Sequence, residues 1–159
     1  MLTQSELKLQ LNYDHNTGIF TWIKSKHGVK FNQKAGHLTS HGYIEIIIDK
    51  KRYYAHRLAW LYMYGDFFGE IDHIDRNPSN NSISNLRLCT SSQNKCNTRL
   101  SKKNTSGIKG ISWNKLKNKW QVRITINKKT IALGNYENLE DAKLIIKKAR
   151  QKYHGEFAN

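Results

Sequence analysis

The segment Asp75-Arg76-Asn77-Pro78-Ser79-Asn80-Asn81-Ser82 contains the chain's only proline, and it suits neither a helix nor a central strand. Proline fixes φ and removes a backbone donor, while Asn, Asp and Ser side chains satisfy tight turns. A loop is therefore expected here, joining two short strands: Glu70-Ile71-Asp72-His73-Ile74 before it and the run beginning at Asn85-Leu86-Arg87 after it. Thr90-Ser91-Ser92-Gln93 then fits a capping box, with Thr90 as N-cap and Gln93 reaching back from the third helical position. A helix starting at Ser91 would carry Asn94 in its first turn. The order is strand, loop, strand, helix. Asn85 lies twelve residues after His73, and Asn94 nine further on.

That order can gather a carboxylate (Asp72), an imidazole (His73) and two amides (Asn85 and Asn94). Hydrolysis of a phosphodiester needs an attacking water and stabilisation of charge on the phosphate and leaving oxygen. A hard cation such as Mg2+ accepts oxygen ligands and keeps several waters, so Asp72 and Asn94 are the candidate metal ligands. Histidine exchanges protons near neutrality and is the candidate base. Neighbours on a strand point to opposite faces, so Asp72 and His73 flank one phosphate only if the strand ends or bulges there. Asn85 fits an Asx-turn residue that fastens the loop and orients His73. The competing reading is structural: an Asp-His pair beside a turn-forming loop.

The chain has 159 residues, with 27 Lys and Arg against 12 acidic residues and a formal net charge of +15. An excess of that size favours a polyanion, through counterion release and long-range steering. Cys89 and Cys96 are the only cysteines; their spacing excludes paired C-x-x-C zinc knuckles, and two cysteines make no disulfide framework. No run approaches the roughly 18 apolar residues of a membrane span, and the N-terminus lacks a signal-peptide layout. The expectation is a soluble protein of the cytoplasm of a bacterium or phage-infected host, neither secreted nor membrane-bound.

Charge is uneven along the chain. Residues 1–100 carry 13 basic and 8 acidic groups, and residues 101–159 carry 14 and 4. The change falls at the polar stretch 101–107, which has linker composition. Before it, Gly18–Ile23 and Tyr43–Ile48 read as strands. Asp49-Lys50-Lys51 reads as a turn into Arg52-Tyr53-Tyr54, and Ala55–Tyr64 as a helix stopped by Gly65. After it, Gly107–Trp113, Trp120–Ile126 and Thr130–Leu133 read as a three-stranded meander. Leu139–Tyr153 reads as a helix that buries Ala142, Leu144, Ile145, Ile146 and Ala149. In the middle strand Trp120, Val122, Ile124 and Ile126 share the apolar face, and Gln121, Arg123 and Thr125 the other. The first 17 residues show no clear pattern beyond room for a short helix.

The residues Ala55-His56-Arg57-Leu58-Ala59-Trp60, Ile71-Asp72-His73-Ile74-Asp75, Asn80-Asn81, Ser84-Asn85-Leu86-Arg87 and Thr90-Ser91-Ser92-Gln93-Asn94 together resemble HNH endonucleases of phages and mobile introns. The resemblance spans about Gly18 to Asn97. It implies a ββα-metal fold in which His73 is the general base, Asp72 and Asn94 bind the metal, and Asn85 braces the loop. Asn94 stands where the name-giving pattern has a third His, an H-N-N version that implies one hard cation, Mg2+ or Mn2+, rather than zinc. Within the same resemblance Arg57 is a candidate phosphate contact, and His56 a buried bridge between helix and hairpin.

Ser106-Gly107-Ile108-Lys109-Gly110-Ile111-Ser112-Trp113, Lys119-Trp120, Leu133-Gly134-Asn135-Tyr136, Glu140-Asp141-Ala142 and the closing Tyr153–Asn159 resemble the DNA-binding domain of plant ethylene-response factors, the Apetala family. In that family the sheet lies in the major groove. Ser112, Asn114, Thr125, Thr130 and Ala132 stand where plant members carry Arg or Trp, so the plant target sequence does not transfer. From the residues themselves, Lys109, Lys115, Lys117 and Lys119 are candidate phosphate contacts and Arg123 a candidate base reader. Trp113 either stacks on sugar or base or fills a half-buried core position. The expected fold class is α+β: an HNH module in residues 1–100 with a β-rich N-terminal extension, a linker at 101–107, and at 108–159 a three-stranded antiparallel sheet packed on one helix. The expected function is a metal-dependent homing-type endonuclease that nicks double-stranded DNA as a monomer, with no small-molecule cofactor. The alternative is a DNA-binding regulator with a non-cutting module.

Overall fold

Thr3 opens the first helix, α1 (Gln4–Lys8), with a complete capping box shared with Glu6. An antiparallel hairpin follows, β1 (Leu11–Asp14) and β2 (Ile19–Trp22), in the register Tyr13↔Phe20. The turn is built by Asp14, whose carboxylate accepts from the Asn16 amide and the Thr17 hydroxyl at 2.9 and 2.8 Å. A second antiparallel sheet has the order β3 (His37–Leu38), β4 (Ile44–Ile48), β5 (Lys51–Tyr54). The β4–β5 turn places Asp49 and Lys50 at φ of 48° and 65°, matching the twist that a two-residue hairpin needs. α2 (Ala55–Tyr64) follows directly and ends where the Gly65 amide, at φ of 82°, donates to the Leu61 carbonyl. A two-stranded hairpin, β6 (Glu70–His73) with β7 (Leu86–Cys89), completes this part. A 3-10 turn at Ile83–Asn85 leads into β7.

The computed structural model describes residues 2–25, 28–66, 68–98, 100 and 104–157. Of the expected linker at 101–107, residues 101–103 lie outside this set, as do His27, Ala158 and Asn159. The chain divides into two compact units, Met1–Cys89 and Thr90–Asn159. The division therefore falls between β7 and the next helix, ahead of the change in composition. In the first unit Leu7, Leu11, Phe20, Ile46, Ile48 and Leu58 form one buried cluster drawn from α1, both sheets and α2. The short N-terminal elements are thus part of the core.

In the second unit α3 (Ser91–Cys96) begins at a complete Thr90–Gln93 capping box. The antiparallel meander β8 (Ile111–Asn114), β9 (Lys119–Ile126) and β10 (Lys129–Tyr136) packs one face against α4 (Leu139–His154). Ile111, Val122 and Ile124 meet Ala142, Ile146 and Ala149 in a separate core. Leu144, expected on the buried side of α4, is 52% exposed. Positions 142, 146 and 149 follow helical spacing, and a residue two places from 142 and from 146 turns to the opposite side. β8 starts four residues later than expected because the backbone at Gly110, at φ of 86°, passes so close to β9 that a Cβ there would lie 2.6 Å from the Arg123 carbonyl oxygen. β10 runs three residues further than expected, through a register shift between Ala132 and Gly134. The molecule is α+β with antiparallel sheets throughout. No described helix is long and apolar enough to cross a membrane.

Candidate active site

β6 ends at His73, where the Arg76 amide turns back to donate to the His73 carbonyl at 3.0 Å. Asp72 and His73 are thus the last two residues of the strand, and both are buried. Across the hairpin Asp72 pairs with Arg87 and His73 with Leu86. This register places opposite charges face to face: Arg87 Nε and Nη2 donate to Asp72 Oδ2 at 2.9 and 2.8 Å. Both side chains of this ion pair are largely shielded from solvent. Arg87 lies within the sequence motif, where residue type and spacing give it no role. Hairpin register, which puts directly opposed side chains on one face, is the signal that would have found it.

The loop from Ile74 to Ser84 is a lattice of side-chain to backbone hydrogen bonds. Asn85 Oδ1 accepts from the Asp75 amide at 3.0 Å, and its Nδ2 donates to Asp75 Oδ1 and to the Asn80 carbonyl at 3.0 and 2.8 Å. Asn85 therefore ties the start of the loop to its far end. Burial pushes the Asp75 carboxyl up, but hydrogen bonds from the Asn77 amide and from the Asn80 and Asn85 side chains outweigh it and hold the pKa below its ordinary value. The side chain that touches His73 is a different asparagine: Asn81 Oδ1 lies 3.0 Å from His73 Nε2.

Aromatic and imidazole rings close the other side of His73. His56 stands edge-on to it with centroids 5.1 Å apart, and Tyr43 lies 6.0 Å away. His56 is itself buried, and its Nδ1 has no hydrogen-bond partner. Burial first, then the neighbouring His73 and Arg57, push its pKa down from 6.5 to about 3. Arg57, one residue on in α2, is exposed.

Among the described residues no three His, Cys, Asp or Glu side chains cluster as a metal cage. The donors expected for a metal are instead one carboxylate and one amide oxygen, which is hard-cation chemistry. An ionised carboxylate offers about four lone-pair sites, so the Arg87 pair does not exhaust Asp72. Asn94 lies in α3, in the second unit, with its amide donating to the Thr90 carbonyl at 2.9 Å. Thiolate ligation fits poorly: burial, then the charges of Asp72 and Glu70, push the Cys89 thiol up to about 11.

The second unit presents the remaining candidates. Arg123 is exposed on the sheet face opposite α4. Lys115 and Lys117 project from the β8–β9 turn, which Asn114 Oδ1 holds by accepting from the Leu116 and Lys117 amides. Lys119 reaches Glu137 at 3.1 Å. Trp113 is 41% exposed and pairs in register with Trp120. The two rings meet edge to face at 5.0 Å, on the apolar face rather than on the face of Arg123. Lys109 is engaged within its own unit: its ammonium donates to the carbonyls of Lys95, Cys96 and Thr98 and to the Thr98 hydroxyl at 2.7–3.3 Å. A cation at the last carbonyls of α3 satisfies groups that a helix end leaves unpaired.

The HNH endonuclease family model matches residues 53–96, from β5 through α3. Protein 3.8 of Escherichia phage T7 is 40% identical over 88 residues, covering 55% of this chain and 72% of that protein. An uncharacterized HNH endonuclease of Acanthamoeba polyphaga mimivirus is 29% identical over 139 residues, covering 87% of this chain and 65% of that protein. A solved structure of the HNH homing endonuclease I-HmuI, described by its DNA binding and cleavage, aligns over 90% of this chain and 76% of that one, with 22% identity and a TM-score of 0.45. The match over β5 through α3, together with a relative of this identity aligned over most of its own length, makes the chain a member of the HNH endonuclease family.

Proposed function

We propose that the protein is a metal-dependent, homing-type endonuclease that hydrolyses phosphodiester bonds in double-stranded DNA and cuts one strand at a time. The observation that carries this reading is the end of β6, where a buried carboxylate and a buried imidazole occupy the last two strand positions, next to a loop tied down by Asn85. Asp72 and Asn94 would hold one divalent cation, Mg2+ or Mn2+. When bound, such a cation stabilises charge on the phosphate and on the leaving oxygen. His73 takes the proton of the attacking water, Arg87 orients the Asp72 carboxylate through their ion pair, and Asn85 holds the loop. One such set of residues in a monomer cleaves one strand per encounter.

Binding to the duplex is assigned to the second unit, with Arg57 adding a phosphate contact from the first. Residues 90–159 include 16 basic and 4 acidic residues, a net of +12. A cavity of about 330 Å3 in that unit is lined by Lys95, Arg123, Lys128, Arg150 and His154 among others, with no carboxylate. Such a surface suits a polyanion. Arg123, with Lys115, Lys117 and Lys119, would form the contact face, as the Apetala-like reading of this unit implies. Trp113 would reach DNA only from the rim, and Lys109 serves chiefly to fasten α3.

A supercoiled plasmid carrying the native genomic target tests the proposal in Mg2+, Mn2+ or EDTA. Metal-dependent conversion to open circle, lost in His73→Ala, is the expected result. Linear product as the first species would replace nicking by double-strand cleavage. Tight binding without any cleavage would favour a DNA-binding regulator.

A further inference from the structure

Two hydrogen bonds of Asn81 determine which nitrogen of His73 carries the proton. Asn81 Nδ2 donates to the Ser79 carbonyl at 3.3 Å, which turns Oδ1 toward His73 Nε2 at 3.0 Å. The opposite amide orientation would set Oδ1 against the Ser79 carbonyl oxygen, two acceptors with no proton between them. Since Oδ1 only accepts, Nε2 must donate, and a neutral imidazole that donates from Nε2 has its lone pair on Nδ1. We propose that Asn81 is a positioning residue that locks His73 in the Nε2–H tautomer, so that Nδ1 is the atom that accepts a proton.

The environment of Asn81 fits a fixed amide better than a turn residue. It is 2% exposed, the most enclosed polar residue of the described set. Its own carbonyl accepts from the Tyr13 hydroxyl at 2.6 Å, and the Ile83 amide two residues on donates to the His15 carbonyl at 3.0 Å. A Cβ at Gly18 would come within 2.3 Å of the Asn81 carbonyl carbon and the Ser82 nitrogen. The β1–β2 hairpin therefore grips the backbone on both sides of Asn81. The N-terminal extension, with no role legible in the sequence, becomes the clamp that presents this amide to His73.

Only the identity of Nδ1 as proton acceptor rests on the nuclease reading; the tautomer is a property of the folded chain. The test is 15N–1H correlation of the histidine side chains in the full-length protein, at a pH where His73 is neutral, with and without Mg2+. In the wild type His73 should show a protonated-type Nε2 and a pyridine-type Nδ1. Asn81→Ala, checked for folding by its amide spectrum, should shift His73 toward the Nδ1–H form or a mixture. Its kcat should fall roughly 10²-fold, the scale of a lost general base, with KM and DNA affinity little changed. Asn81→Asp keeps an acceptor at Oδ1 and should restore the Nε2–H signature. A wild-type His73 found mainly as Nδ1–H overturns the proposal without recourse to any variant, as does an unchanged tautomer in folded Asn81→Ala. Should His73→Ala still cleave DNA while wild-type His73 shows the Nε2–H signature, the general-base role of His73 fails and the tautomer assignment stands.

Discussion

At the scale of single residues, the site depends on groups that would be costly if left alone. Asp72 is buried and its partner is Arg87. Removing one member of such a pair strands a charge away from water, whereas replacing both removes the need for compensation. Arg87→Met should lower stability by about 3–5 kcal/mol, read by urea unfolding, and Asp72→Asn/Arg87→Met should lose distinctly less. An Arg87→Met protein as stable as the wild type would show that the pair is not buried in solution. For the same reason Asp72→Asn, which preserves shape and an acceptor, tests cleavage more cleanly than Asp72→Ala. His56 gives a pH prediction. Its folded pKa lies near 3 and its unfolded value near 6.5, so between these values the unfolded chain binds the extra proton. Stability should therefore be unaffected by this group above about 6.5, fall as pH drops below it, and stop falling near 3. His56→Phe should flatten that part of the curve; an unchanged slope would remove His56 as its source.

At the scale of elements, the N-terminal hairpin and the HNH loop act as a unit. Gly18 sits at φ of 72° against the Asn81–Ser82 peptide, so any side chain there meets backbone rather than a flexible neighbour. Gly18→Ala combines backbone strain with overpacking, each worth about 1–3 kcal/mol. The expected result is a lower melting temperature together with a loss of cleavage greater than the fraction unfolded explains. Normal activity in a folded Gly18→Ala protein would separate the hairpin from the site. The sequence pattern fell short here for a definable reason. Four-residue strands such as β1 carry few alternating positions, and the pairing of Tyr13 with the Asn81 carbonyl spans 68 residues. By contrast α2 and the Thr90 capping box were legible, because helix periodicity and cap chemistry are local. On α4 the apolar spacing was legible as well, but Leu144 was assigned by hydrophobicity against its own position on the helix and proved exposed.

At the scale of the whole molecule, charge is unevenly divided. The unit containing Asp72 and His73 is nearly balanced, with 11 basic and 8 acidic residues, while residues 90–159 hold the excess. Binding to duplex DNA should therefore be salt-dependent, with log K falling linearly against log salt concentration. Lys115→Ala and Lys117→Ala should each reduce the slope by roughly 1 without changing site preference. Lys109→Ala should instead destabilise the end of α3, because its ammonium serves four oxygen atoms of its own chain. An equal change in slope for all three lysines would return Lys109 to the contact surface.

The sequence alone determined what local rules control: α2 and α4, the capped start of α3, the turn-rich loop between β6 and β7, and the alternating faces of β9. It also carried the family, because Asp72, His73, Asn85 and Asn94 sit at spacings that a strand, a loop and a helix must keep. Tertiary structure decided which of those residues touch. Hairpin register set Arg87 on Asp72, and a close approach at Gly18 delivered Asn81 to His73. A buried ring cluster left His56 neutral beside them. These contacts join residues far apart in the chain, and only packing selects among the many partners that residue type and spacing leave open.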